Sequence, residues 1–236
     1  GFADFGQGLV QPPQLSLDLV RRMVRRIAHR GPDGQGAHLS QNCALAHARL
    51  AVIDPKNGQQ PLSLPWQGHQ VTIAYNGELY NAPELRRDLE ALGFSFSTRC
   101  DTEVALAAYL AWGLDCPRRF NGIFALAVDD PAAGRAFLCR DPFGVKPLFY
   151  TLREGRLVFA SEIKALFEYP GVRPVVGKEG LREIFGLGPA RTPGCGVFEG
   201  IRELKPGHLA VFDRQGFREL AYFDLEAQPL ELSYQQ

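Results

Sequence analysis

The sequence is short of several things, and each shortage excludes something. Its 236 residues include five cysteines, Cys43, Cys100, Cys116, Cys139 and Cys195. Their number is odd, no two form Cys-x-x-Cys, and none has zinc-finger spacing to a histidine. That argues against a disulfide framework and against structural zinc. Reduced thiols fit better, and with them a cytoplasmic setting. Neither sign of charge is in excess, since 26 Lys and Arg balance 26 Asp and Glu. The electrostatic footprint of a nucleic-acid or anionic-membrane binder is therefore missing, so neither is expected as a partner. No apolar stretch approaches the roughly 18 residues of a membrane span. Gly1-Phe2-Ala3-Asp4 has neither the basic start nor the apolar core of a signal peptide.

What is present suffices for a real core: 45% of residues are hydrophobic and 22% charged, which suits one large domain or two small ones. Ser16 is placed to cap a helix from Leu17 to Ala28, where Val20, Met23, Val24 and Ile27 recur at helical spacing, and Gly31-Pro32 to stop it. A small-residue apolar run from Cys43 to Ile53, interrupted by His47 and Arg49, reads as strand. So does Val71 to Tyr75, which stops at Asn76-Gly77, ordinary turn chemistry. Asn81 then opens a short helix with Leu85, Leu89 and Leu92 inward and Gly93 closing it. A further helix runs from about Asp101 to Trp112.

Beyond it the period changes to two. Ile123 to Val128 and Arg135 to Cys139 flank a probable hairpin loop, and short strands are expected at Leu148–Tyr150, Leu157–Ala160 and Leu209–Asp213. Helices are expected after Ser161 and near Lys178 to Phe185. Strands and helices come in blocks, which predicts an α+β domain with largely antiparallel sheet over residues 1–223. Periodicity is lost over 224–236, which reads as a linker.

Four stretches could carry chemistry, and each has a plain structural reading. His29-Arg30-Gly31-Pro32-Asp33 could be a helix end and turn. Arg49 lies in an apolar strand, where a lone guanidinium is costly unless an anion meets it. A structural ion pair and a ligand contact explain it equally well. Asp101 precedes a helix, so capping is its default role. Arg140 and Asp141 open a loop and could lock each other. A kinase reading of Asp141-Pro142-Phe143-Gly144 fails, because Pro142 breaks the triplet and the glycine-rich and catalytic loops are missing.

Taken in order, the pieces resemble one family. HRGPDG (His29–Gly34), ARLAVID (Ala48–Asp54), YNGELYN (Tyr75–Asn81), CDTEV (Cys100–Val104), NGIFALAV (Asn121–Val128), RDPFGVKPLFY (Arg140–Tyr150), SEIKAL (Ser161–Leu166), LKPGH (Leu204–His208) and YFDL (Tyr222–Leu225) cover nearly the whole chain. They resemble the glutaminase domain of glutamine-hydrolysing asparagine synthetases, a class II glutamine amidotransferase domain. Pro32 points to the asparagine-synthetase branch of that class.

The resemblance implies a four-layer αββα sandwich, the N-terminal-nucleophile hydrolase fold: two largely antiparallel sheets between helical layers. It implies an oxyanion hole made by the Asn76 side-chain amide and the Gly77 backbone N–H, and an α-carboxylate grip by Arg49. Glu78 and Asp101 would hold the α-ammonium, and backbone groups of Val52 and Ile53 would meet the substrate along the Arg49 strand. His29 and Arg30 would shape a loop near the site.

The family's nucleophile is an N-terminal cysteine whose own amine relays the proton, and none of the five cysteines here is terminal. Cys43 and Cys139 fall in strand patterns that predict burial. The nucleophile is thus expected upstream of Gly1. No metal or cofactor is expected in this domain. ATP and magnesium would belong to a C-terminal synthetase domain, the expected partner beside glutamine, since nothing here resembles its pyrophosphate loop. A homodimer is left open. The implied activity is glutamine hydrolysis through a thioester, with the ammonia converting aspartate to asparagine. The alternatives are amidation of another carboxylate, or a catalytically dead glutamine-binding or scaffold domain.

Overall fold

Two prolines decide where the first helix begins. In a computed structural model, which describes residues 1–9, 12–188 and 190–226, a short strand β1 (Phe2–Ala3) precedes helix α1 (Pro13–Arg25). Pro12 takes the extended N-cap position and Pro13 the first turn, where a missing N–H leaves no bond unmade. Ser16 is therefore not the expected cap but a buried residue within the helix. The helix also ends earlier than expected, at Arg25, with one 3-10 turn at Ala28–Arg30 leading to Gly31.

Strands β2 (Gly34–Leu39) and β3 (Cys43–Arg49) form an antiparallel pair. β3 stops at Arg49 rather than running to Ile53, because the Arg49 guanidinium donates to the carbonyls of Asp54 (2.9 Å) and Pro55 (2.8 Å). Those bonds fold the following loop back onto the side chain.

β4 (Leu62–Trp66) and β5 (His69–Leu79) follow. The expected stop of β5 at Asn76-Gly77 is overturned: the strand runs straight through, pairing Asn76 with Ala125, Gly77 with Phe124 and Glu78 with Ile123. A type I′ turn would need positive φ at Asn and Gly, and neither Asn76 nor Gly77 has it. The preference of two residues for a turn is outweighed by an eight-pair ladder.

In helix α2 (Ala82–Ala91), Leu85 and Leu89 point inward, but Leu92 is 59% exposed at the C-cap, where Gly93 at positive φ ends the turn. Asn81 does not cap with its side chain. It ties the helix entry to another segment, donating to Arg119 O and accepting from Asn121 N, both at 2.9 Å.

Helix α3 (Asp101–Trp112) and the hairpin of β6 (Gly122–Asp130) and β7 (Arg135–Arg140) stand where the sequence predicts them. The chain continues through β8 (Phe149–Arg153), β9 (Arg156–Ala160), α4 (Ile163–Leu166), α5 (Lys178–Leu187), β10 (Ile201–Glu203), β11 (His208–Asp213) and β12 (Gly216–Ala221). Of the expected linker, residues 227–236 lie outside the described residues.

The strands form two six-stranded sheets, ordered β10-β8-β9-β1-β3-β2 and β12-β11-β7-β6-β5-β4, with antiparallel neighbours throughout. Side chains alternate between faces, so each sheet contributes to two apolar layers. On β6, Phe124, Leu126 and Val128 meet α2 and α3, while Ala125 and Ala127 meet the other sheet. On β3, Ala44 packs with Val20 and Met23 of α1, while Cys43 and Leu45 face inward. The result is the four-layer αββα sandwich of an α+β protein. Cys43 and Cys139 are both buried, as their strand patterns predict.

Two buried carboxylates hold its loops. Arg140 and Asp141 do not lock each other as expected. Arg140 pairs with Glu203 at 3.0 Å and donates to the carbonyls of Gly144, Lys146 and Leu204. Asp141 accepts from the backbone N–H groups of Phe124, Phe143, Val145 and Lys146 (2.9–3.3 Å). A loop of this shape offers carboxylate and guanidinium several backbone partners, which satisfy them better than one another would.

Glu103, 1% exposed, accepts from the backbone and hydroxyl groups of Ser97 and Thr98 (2.7–2.9 Å). Burial pushes its carboxyl up, but those four bonds win and hold it below its ordinary value. The stability it contributes is present above the unfolded pKa of about 4.3 and lost as pH falls through the folded one. Glu103→Ala is expected to cost about 3 kcal/mol in urea unfolding, since two backbone donors lose their acceptor. A loss below about 0.5 kcal/mol would mean that water satisfies them.

Candidate active site

Period two on two strands builds the site. On β3 the inward face continues from Cys43 and Leu45 to His47 and Arg49, and on β5 the face opposite Ile73 and Tyr75 carries Ala74, Asn76 and Glu78. Between them opens a cavity of about 440 Å³, within the range of small-molecule sites. Arg49, Val52, Ile53, Asn76, Gly77, Glu78 and Asp101, the residues singled out in the sequence, all line it. Val52 and Ile53 do so from the loop after β3, not from the strand as expected.

Arg49 is 6% exposed, and among the described residues no carboxylate pairs with it. Its two loop carbonyls occupy two of a guanidinium's five donors. A buried cation met only by dipoles favours an anion beside it. The two readings open at the sequence level thus separate: Arg49 is not an ion-pair residue of the fold.

Asp101 does not cap α3. Cys100 holds the N-cap place, and the Asp101 carboxylate turns to β5, accepting from the Tyr75 hydroxyl and the Leu79 N–H, both at 3.0 Å. Burial pushes the Asp101 carboxyl up, against the lowering by those bonds. Burial, with the Asp101 charge next, keeps the Tyr75 phenol protonated. Glu78 is exposed at the cavity mouth. Anion-seeking and cation-seeking groups therefore meet in one cavity, the pattern a zwitterion needs.

Gln60 completes the frame. Its amide accepts from Tyr75 N (2.7 Å) and donates to Tyr75 O (2.9 Å), standing in for β4, which pairs with β5 only as far as Ile73. Backbone groups of one residue point the same way across an antiparallel ladder, so Gly77, two residues on, faces that same unpaired edge. Phe124, opposite Gly77, bonds instead to Asp141 through both its N–H (3.3 Å) and its C=O (2.7 Å). The Gly77 N–H is left at an open edge beside Asn76, whose Nδ2 is buried without a partner among the described residues.

His47 also lines the cavity, with Nδ1 buried and without a partner among the described residues. Burial pulls the imidazole down to about 4, against a bond to the Tyr75 backbone that raises it, while the Arg49 charge lowers it further. Sequence reasoning missed His47 and Gln60. The signal for His47 was its place two residues before Arg49 on one strand face; Gln60 has none, because it acts through a long-range backbone contact. Arg30 lines the cavity wall, and Glu162 binds both it (3.3 Å) and His29 (2.8 Å). Gly1 lies in the cavity as well, its nitrogen 2.8 Å from Phe159 O. Among the described residues no cluster of His, Cys, Asp and Glu could hold a metal, and no helix is long and apolar enough to cross a membrane.

Known proteins resemble this chain both in sequence and in fold. The chain is 43% identical over 228 residues to asparagine synthetase [glutamine-hydrolyzing] 3 of Bacillus subtilis (strain 168), covering 97% of this chain and 36% of that protein. It is 40% identical over 149 residues to asparagine synthetase [glutamine-hydrolyzing] 1 of the same organism, covering 63% of this chain and 23% of that one. The chain thus spans about a third or less of these relatives' lengths. Its fold is that of glutamine phosphoribosylpyrophosphate amidotransferase from B. subtilis, with a TM-score of 0.65 at 19% identity over 94% of this chain and 49% of that one. The family model described as a glutamine amidotransferase domain matches residues 6–223. With the fold, the ordered motifs and that match in agreement, the chain belongs to the class II glutamine amidotransferase domain family.

Proposed function

We propose that this domain binds L-glutamine in the cavity and hydrolyses it to glutamate and ammonia, with a cysteine preceding Gly1 as nucleophile. The thiolate attacks the carboxamide carbon, the C–N bond breaks as the cysteine's own amine relays a proton to the departing ammonia, and water hydrolyses the thioester. The observation that carries the reading is the unpartnered Asn76 Nδ2 beside the open Gly77 N–H. Two fixed donors on one side of a cavity suit the oxygen that becomes negative in the tetrahedral intermediate. Arg49 holds the α-carboxylate, Glu78 and Asp101 the α-ammonium, and backbone groups of Val52 and Ile53 line the same end. The Ile53 carbonyl already accepts from the Cys100 thiol at 3.4 Å, so its role is to shape the wall.

In the whole protein we assign the ammonia to ATP- and magnesium-dependent conversion of aspartate to asparagine by a C-terminal synthetase domain. The reading is supported by the names and greater lengths of the two B. subtilis relatives. Five free cysteines support a cytoplasmic setting.

The test compares glutamate release from glutamine by the chain alone with release by a form that carries Cys before Gly1. Release by the Cys form alone is the expected result; equal rates would remove that cysteine from the chemistry. In the active form, Arg49→Lys should raise KM for glutamine about tenfold with kcat little changed, because a lone ammonium cannot grip a carboxylate in a fork. An unchanged KM would take the α-carboxylate away from Arg49.

A further inference from the structure

Four buried side-chain atoms lack a partner among the described residues: His47 Nδ1, Asn76 Nδ2, Asp129 Oδ1 and Glu219 Oε1. Only the first two line the cavity. The Asn76 nitrogen is a donor, and its use follows from the proposed chemistry. The His47 nitrogen does not enter that chemistry.

A pair of donors for the γ-oxygen creates a difficulty. Donors bind a carboxylate oxygen more strongly than an amide oxygen, so Asn76 and Gly77 alone would favour glutamate, the product, over glutamine. A preference for the amide requires a lone pair facing the other γ-substituent, where it accepts from –NH₂ and repels –O⁻.

His47 is placed to supply one. It follows Cys43 and Leu45 on the inward face of β3, across the cavity from the face of β5 that bears Asn76. Its imidazole is kept neutral by burial. In a neutral imidazole the nitrogen that does not donate carries a lone pair, and the one without a partner is Nδ1. Three other acceptors on the walls already have donors: Gln60 Oε1 has Tyr75 N, Asp101 Oδ2 the Tyr75 hydroxyl and Leu79 N, and Ile53 O the Cys100 thiol.

We propose that His47 Nδ1 accepts an N–H from the side-chain amide of bound glutamine and thereby makes the cavity select an amide over the corresponding acid. The inference rests on the glutamine-binding reading above. His47 is a specificity-determining residue, and no proton is transferred to or from it.

The test is calorimetric titration of the chain, of His47→Leu and of His47→Gln with L-glutamine and with L-glutamate. The unsubstituted chain should prefer glutamine, and His47→Leu should lower that preference about tenfold, the scale of one hydrogen bond to a buried group. His47→Gln, which keeps an acceptor, should retain more of the preference than His47→Leu. An unchanged glutamine-to-glutamate ratio in His47→Leu overturns the inference while leaving the glutamine site standing. A chain that binds no glutamine overturns both. As a readout independent of how the variants fold, the ¹⁵N resonance of His47 Nδ1 in the unsubstituted chain should shift on adding glutamine; an unmoved resonance at saturation also overturns the inference.

Discussion

Asn76→Ala, made in a form that carries Cys before Gly1, is expected to lower kcat for glutamine hydrolysis about 10²–10³-fold while KM moves by less than about threefold. The reason lies in where charge develops. The ground-state carboxamide oxygen is a weak acceptor, and in the proposed complex Arg49, Glu78 and Asp101 would hold the other end of the substrate. In the proposed mechanism the amide of Asn76 would matter fully only when the thiolate adds and the oxygen becomes an anion. Its Nδ2 is buried with no partner among the described residues, so removing it deprives none of them of a bond, and thermal unfolding should be little changed. Steady-state glutamate release separates the outcomes. A KM raised by the same factor as kcat is lowered would show that Asn76 binds substrate and intermediate alike, and the oxyanion assignment would fall.

Gly77→Ala is expected to destabilise the domain by about 3 kcal/mol and to abolish hydrolysis even where the protein still folds. A Cβ at position 77 would stand 2.3 Å from Ile123 O and 2.6 Å from Phe124 Cα. Both obstacles are backbone of β6, an interior strand held by β7 on its far side. Phe124 is fully buried, stacks edge-on to Phe120 at 5.4 Å, and is tied to Asp141 through its own N–H and C=O. It cannot move aside cheaply, so β5 must, and the Gly77 N–H moves with it. For a domain of this size the loss corresponds to a fall in Tm of roughly 6–12 °C. A Gly77→Ala protein with unaltered Tm would mean that the two strands separate freely, and the close approach would then not explain the glycine.

These two residues also show how much was legible before the fold was known. Asn76-Gly77 after a β-branched, apolar run carries a local turn preference, and nothing within a few residues contradicts it. What overrides it is the pairing of His69–Leu79 with Gly122–Asp130, segments more than forty positions apart. Helix α3 and the β6–β7 hairpin needed no such help: each is specified by neighbours in the chain, by a run rich in the helix formers Ala and Leu in one case and by a short loop between alternating runs in the other. Ser16 failed as a cap because Pro12-Pro13 supply a start that needs no side-chain acceptor.

By itself, then, the sequence determined the ordered set of motifs, the antiparallel α+β class and the identities of seven cavity residues, because each depends on residue type and local order. Only the tertiary structure decided their surroundings. It showed that, among the described residues, Arg49 has carbonyls but no carboxylate beside it, Asp101 turns from its helix to β5, and Asn76 and His47 each bury an unused nitrogen. Whether a polar atom is satisfied depends on groups far away in the chain, since the partners that compete for it arrive only when two sheets close over one another.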